Sequence, residues 1–247
     1  MRNIWTIARR EYKLYFATPA AYVISFMILA VLGFIFYANI ASASLQQFGG
    51  SSAPGVDVIL GPFITLLLFG IPGVTMRLLA EEQRMGTIEL LLTAPVRDYE
   101  LIVGKWLGGF LFILSIVAIT WIYPIVLNLL VSPGIDQGPL ISGYLGVILI
   151  CSALVAVGVA ISSFFSNQIV AFFATLVVFL VLWLISLPSQ AIGGTGSGLI
   201  QYLDFSNHFY NTLFLGIIDL RDIIYYLTVT ALFLFIGSVS LETRRWR

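Results

Sequence analysis

Apolar residues in this chain run in long blocks, not in the alternation that marks a half-buried strand. Six stretches are near-continuous Ile, Leu, Val, Phe, Ala and Gly: 19–42, 58–79, 104–129, 140–163, 168–188 and 222–241. Each supplies the roughly 20 residues that a helix needs to cross a bilayer. In lipid the backbone must satisfy its own hydrogen bonds, which a helix does. The pattern predicts an all-α integral membrane protein with six transmembrane helices, forming a single transmembrane domain over 1–247. Pro62 falls in the first turns of the second span. Pro72-Gly73 and Pro124 predict kinks late in the second and third, and Pro188 closes the fifth. Ala41-Ser42-Ala43 has the look of a signal cleavage site. The run before it is too long and begins too far into the chain, so the first span reads as an anchor.

Three segments break this pattern. Residues 2–16, RNIWTIARREYKLYF, read as an amphipathic helix (1–17). At about 100° per residue, Arg2, Arg9 and Lys13 share one face, and Ile4, Ile7, Ala8, Leu14 and Tyr15 lie opposite. Such a helix lies in the headgroup plane with Trp5 at the interface and Arg10 beside the basic face. Residues 81–105 hold Glu81, Glu82, Arg84, Glu89, Arg97, Asp98, Glu100 and Lys105, eight of the chain's twelve basic and twelve acidic residues. Within them Gly86 and Pro95 bracket a helix-competent stretch, which Thr87 can cap and Pro95 ends. Asp98 and Glu100 suit the first turn of the next helix. The segment reads either as an elbow that docks a partner or as a solvated loop on its own bundle. The third, 189–221, opens on GGTGSG at 193–198. No Lys-Ser or Lys-Thr follows these glycines, so a flexible linker is the better reading than a phosphate cradle. Residues 203–222 are apolar enough to enter the membrane and too short to cross it. They read as an outer re-entrant helical element carrying Asp204, His208, Asp219 and Arg221.

Composition excludes a water-soluble fold. The chain is 60% hydrophobic and 10% charged, against about 25% charged for a soluble domain. Lys and Arg set the orientation. With six spans, Arg2, Arg9, Arg10, Lys13, Arg77, Arg84, Arg97, Lys105, Arg244, Arg245 and Arg247 share one side, leaving only Arg221 opposite. Both termini and 81–105 are therefore expected in the cytoplasm. The lone Cys151 forms no internal disulfide.

Missing chemistry narrows function. No ionisable group lies deep in the six expected spans, with Lys105 at the inner margin of the third, which argues against ion-coupled transport. Hydrolase, metalloprotease and Walker A motifs are absent, so no enzyme and no cofactor is expected on this chain. His208 has no cluster of Cys, Asp, Glu or His at metal spacing around it and reads as interfacial packing. Work, if done, draws energy from another chain through a cytoplasmic surface. A membrane scaffold holding a cytosolic partner uses the same surface without moving substrate, and a stand-alone channel is disfavoured because no span shows a polar stripe.

Three stretches carry a resemblance. They are ArgArgGluTyr at 9–12 leading into the first span, EEQRMGTIELLLTAPV at 81–96 followed by Gly104-Lys105, and SNHFYN at 206–211 with GIIDLRDIIYY at 216–226. On these residues the chain resembles the permease subunits of ABC type-2 exporters, in particular the gliding-motility-associated branch. The resemblance covers essentially the whole chain, and 81–96 is its most specific part. It implies six transmembrane helices, an interfacial amino-terminal helix, a coupling helix at 81–95 and a re-entrant element at 203–220. It also implies two cytosolic ATP-binding-cassette subunits, which hold ATP and Mg, and a second permease, a copy or a different chain. An accessory protein outside the membrane is a further expected partner, and nucleic acid is not. The implied location is the cell (inner) membrane of a prokaryote. Glu81, Glu82, Arg84, Gly86, Thr87, Ile88, Glu89, Leu91, Leu92 and Pro95 would contact the ATPase, with Ile88, Leu91 and Leu92 as apolar anchors. The sequence holds no nucleotide-binding domain and no large outer domain, so those parts are expected on separate chains.

Overall fold

A computed structural model describes residues 2–46, 54–87, 96–131, 134–185 and 202–245. Among them all regular structure is helical. The helices are α1 (Arg2–Ala17), α2 (Pro19–Gln46), α3 (Asp57–Thr75), α4 (Arg77–Arg84), α5 (Asp98–Thr120) and α6 (Ile122–Leu130). They continue with α7 (Gln137–Ser162), α8 (Gln168–Leu184), α9 (Phe205–Tyr210), a 3-10 turn at Leu213–Leu215, and α10 (Leu220–Arg245). Among the described residues five stretches are long and apolar enough to cross a membrane: Pro19–Ala43, Asp57–Arg84, Asp98–Leu130, Gln137–Ser162 and Leu220–Thr243. The expected fifth span begins as α8, an apolar helix of 17 residues, and its expected end at 188 lies outside the described residues.

The core is built around α7. Nearly its whole length is buried, and it packs against α3, α5, α8 and α10. Small residues make this possible. A Cβ at Gly143 would sit 2.2 Å from Leu60, one at Gly146 2.8 Å from the Phe209 ring, and one at Gly158 2.2 Å from the Thr75 hydroxyl. In lipid, apolar surface gains nothing by leaving water, so close van der Waals contact of this kind is what joins helices. The outward faces of α2 and α8 carry large exposed apolar side chains, among them Phe26, Phe34, Tyr37, Phe173 and Val177. Such faces suit lipid or another membrane helix.

Proline sets the helix breaks. Pro124 has no N–H, so the Thr120 carbonyl loses its helical donor, and the third span divides at Trp121 into α5 and α6. The buried Tyr144 hydroxyl of α7 donates to that carbonyl at 3.1 Å. The second span divides at Met76, just past Pro72-Gly73. Here Ser162, the last residue of α7, enters the gap. Its oxygen accepts from the N–H groups of Leu79 and Ala80, each at 3.1 Å, and its hydroxyl donates to the Met76 carbonyl at 3.1 Å. One side chain thereby bonds three backbone groups at the break.

Helix ends follow local chemistry. Asn167 caps α8 through Ile169 N–H at 2.9 Å, which makes α7 and α8 a tight hairpin across 163–167. Asp136 caps α7 through Gly138 N–H at 2.9 Å. α5 starts at Asp98, six residues before the apolar run, because Asp98 and Glu100 stabilise its first turn against the helix dipole. Lys105 therefore lies two turns inside a helix and not at its edge.

Candidate functional site

The described part of the 81–105 segment joins two other elements at the base of the bundle. α1 runs alongside the first half of α5 in the same direction. Asn3 donates to Glu100 Oε2 at 3.1 Å at one end, and the Tyr12 and Ser115 hydroxyls meet at 3.0 Å at the other. Gly104 and Gly108 bring the backbones together: an added Cβ would stand 2.8 Å from Ile7 or 2.6 Å from Glu11. Their four-residue spacing puts both on one face of α5. Tyr15 closes the contact, stacking on Phe112 at 4.6 Å and donating its hydroxyl to the Val74 carbonyl at 3.0 Å. Burial pushes the Tyr15 phenol well above its ordinary range.

In this seam lie two cations and two carboxylates from three helices. Lys105 Nζ is 2.7 Å from Glu82 Oε1 on α4 and 3.2 Å from Glu11 Oε1 on α1. Arg10 lies 3.4 Å from Glu11 and 3.6 Å from Glu82. The Lys105 side chain is 1% exposed, Glu11 8% and Glu82 12%. Pairs this far from water stay ionic only when charge partners and hydrogen bonds replace hydration. Among the described residues Glu82 Oε2 has no hydrogen-bond partner; it belongs to a residue lining a cavity of about 480 Å³ that Arg10, Tyr15, Arg77 and Thr87 also line.

α4 leads from this cluster to the chain's most distinctive stretch. Gly86 turns the chain with φ +70°, a left-handed conformation that favours glycine and ends α4. Thr87 donates back to the Glu82 carbonyl at 3.3 Å. Ile88, Glu89, Leu91, Leu92 and Pro95 lie outside the described residues, as does the side chain of Arg2. Of the expected contact residues, Glu82 faces Lys105 inside the protein and Glu81 lines the cavity. Arg84 is exposed and borders a second cavity against 166–169. On α1, Arg10 turns to the carboxylates, while Trp5, Arg9 and Lys13 face outward.

A second polar cluster sits at the opposite end. Asp204 caps α9, accepting from Ser206 N–H at 2.8 Å and from its hydroxyl at 2.7 Å. His208 is buried, with Nδ1 2.7 Å from Asp222 Oδ1 and Nε2 2.8 Å from the Tyr202 carbonyl. A carbonyl only accepts, so Nε2 carries a hydrogen. Thr212 bonds the other Asp222 oxygen, and the Tyr225 ring stacks on His208 at 4.0 Å. Tyr225 and Tyr226 donate to the Leu203 and Phe205 carbonyls, each at 2.8 Å. Asp219 caps α10 through Arg221 N–H at 2.9 Å, and the Arg221 side chain is exposed. His208 is thus a structural tie between α9 and α10. Among the described residues no group of three or more His, Cys, Asp and Glu could hold a metal ion.

Sequence reasoning missed Glu11 and Asp222 as partners. Glu11 follows Arg9 and Arg10, and Asp222 follows Arg221, so each has a basic neighbour in sequence that hides its distant partner.

Among curated proteins, none matches the chain. Residues 22–244 match the family described as ABC-2 family transporter protein, a span that takes in every long apolar helix, the α4–α5 base and the outer cluster. The chain belongs to the ABC-2 transporter family, as a multi-pass membrane permease.

Proposed function

We propose that this permease couples to a separate cytosolic ATPase through residues 81–95, within an ABC exporter of the gliding-motility-associated type. The observation that carries this is the charged seam. α4 enters the 88–95 stretch, α5 leaves it, and Lys105 ties both to α1. A force applied to 88–95 reaches the second and third spans and the amino-terminal helix together. α8 completes the six spans. α1 lies at the inner face of the cell membrane of a prokaryote, with both termini cytoplasmic, and α9 with the following turn forms the outer re-entrant element. Two such permeases line the path, and ATP with Mg is bound and hydrolysed on the partner subunits.

Capture of the chain from native membranes in mild detergent, with ATPase activity assayed on the eluate, tests this. An ATP-binding-cassette subunit co-purifies, and scrambling Gly86–Ala94 abolishes its capture while the bundle stays folded. Gly86→Val, which forces a β-branched residue to positive φ, weakens ATPase binding or export. A folded bundle that never retains an ATPase would favour a membrane scaffold instead.

A further inference from the structure

Outside the seam, α1 and α5 leave a groove of about 700 Å³ that the coupling reading does not use. Trp5, Arg9, Tyr12 and Lys13 form one wall, a single face of α1 at helical spacing. The other is apolar, with Leu111, Leu114 and Ala118 of α5 one turn apart and Ser115 between them. Ser115 Oγ is already engaged with the Tyr12 hydroxyl at 3.0 Å, so the floor offers little free polarity. Beyond Ala118 the surface continues as Ile119 and Ile122, both more than half exposed.

The two cations are the second observation. Arg10 is paired with Glu11 and Glu82, but Arg9 and Lys13 have no carboxylate within ion-pair distance among the described residues. They stand four residues apart, on the same side of the helix, at the mouth of an apolar slot. Trp5, 57% exposed, stands at the rim, where an indole prefers the headgroup level.

We propose that this groove holds one anionic membrane phospholipid, its phosphate on Arg9 and Lys13 and an acyl chain along Leu111, Leu114 and Ala118. Charge complementarity selects the anion. The apolar half selects a lipid over free phosphate, which would leave that wall against water. The size is that of a ligand pocket. This inference rests on the reading of α1 as an interfacial helix.

The test uses the full chain in phosphatidylcholine vesicles containing a minor share of phosphatidylglycerol, with brominated acyl chains on one lipid or the other. The Trp5 signal is the difference in fluorescence quenching between the protein and Trp5→Phe. Brominated phosphatidylglycerol quenches Trp5 at a relative affinity on the order of tenfold above brominated phosphatidylcholine, as two basic side chains near an anionic headgroup allow. Arg9→Gln with Lys13→Gln brings the two lipids to parity, and Arg221→Gln, the same charge change elsewhere, does not. Equal quenching by both lipids in the unaltered protein overturns the site. Quenching by neither overturns the interfacial reading before it. Displacement by excess inorganic phosphate, or quenching that falls as protein density rises, also overturns it. The first makes the occupant a free anion and the second another copy of the chain.

Discussion

At the scale of single residues, Lys105 carries the sharpest consequence. Its ammonium is enclosed, with Glu11 and Glu82 as its neighbours. Lys105→Met leaves two largely buried carboxylates with only the exposed Arg10 as a charge partner. Breaking such a pair from one side is expected to cost about 3–5 kcal/mol, read as a lowered thermal midpoint in detergent. Adding Glu11→Gln and Glu82→Gln to that variant recovers most of the loss, since no buried charge then lacks a partner. If the single and triple variants unfolded together, the cluster would not be acting as an ionic unit. Gly108 makes a second case. Valine there pushes a side chain into Glu11 and the Ala8 carbonyl, 3.0 Å from the added Cβ, so α1 must lift from α5. Faster proteolysis within residues 2–17 of Gly108→Val is the expected readout. Cys151 is fully buried, out of reach of a bulky reagent. It therefore stays inert to maleimide until the bundle unfolds.

At the scale of elements, the two broken spans separate what the sequence could tell from what it could not. Five of the six expected spans were legible as helices long enough to cross, because lipid demands continuous helix, and Pro72 and Pro124 announced the breaks near Met76 and Trp121. What filled those breaks was not legible. Ser162 and Tyr144 come from a different helix, and no local pattern links a serine at the end of α7 to a gap some 80 residues earlier. The same holds for Lys105 with Glu11 and for His208 with Asp222: each charge was visible, and its partner was set by packing. Ser162→Ala removes the acceptor of two N–H groups and the donor to one carbonyl. Such buried groups cost about 1–3 kcal/mol each when left unsatisfied, and Ser162→Ala is expected to destabilise the protein more than Tyr144→Phe, which removes one donor to Thr120. Hydrogen exchange at Leu79 and Ala80 reports the first of these directly.

At the scale of the whole molecule, the placement of charge made the fold's polarity readable while its assembly was not. Lys and Arg collect at one end of the bundle, with α1, α4 and the start of α5, and the Asp204–Asp222 cluster sits at the other. The expected outcome of labelling follows. Cysteine placed at Asp98 reacts with an impermeant reagent only from the cytoplasmic side, and cysteine at Asp219 only from the opposite side. Reaction of both from one side would remove the assigned orientation. Because Cys151 is buried, the unaltered chain serves as the background for this experiment.

The seam of Arg10, Glu11, Glu82 and Lys105 also has an electrical meaning. Its formal charges are two positive and two negative, gathered on three helices that they bind together. Moving one elementary charge through 100 mV involves about 2.3 kcal/mol. Taken as a unit the four carry no net charge, so the membrane potential does no net work on the cluster itself when it shifts along the membrane normal. Lys105→Met leaves the cluster with a net negative charge, and the voltage dependence of a displacement at the base of this bundle should change in that variant.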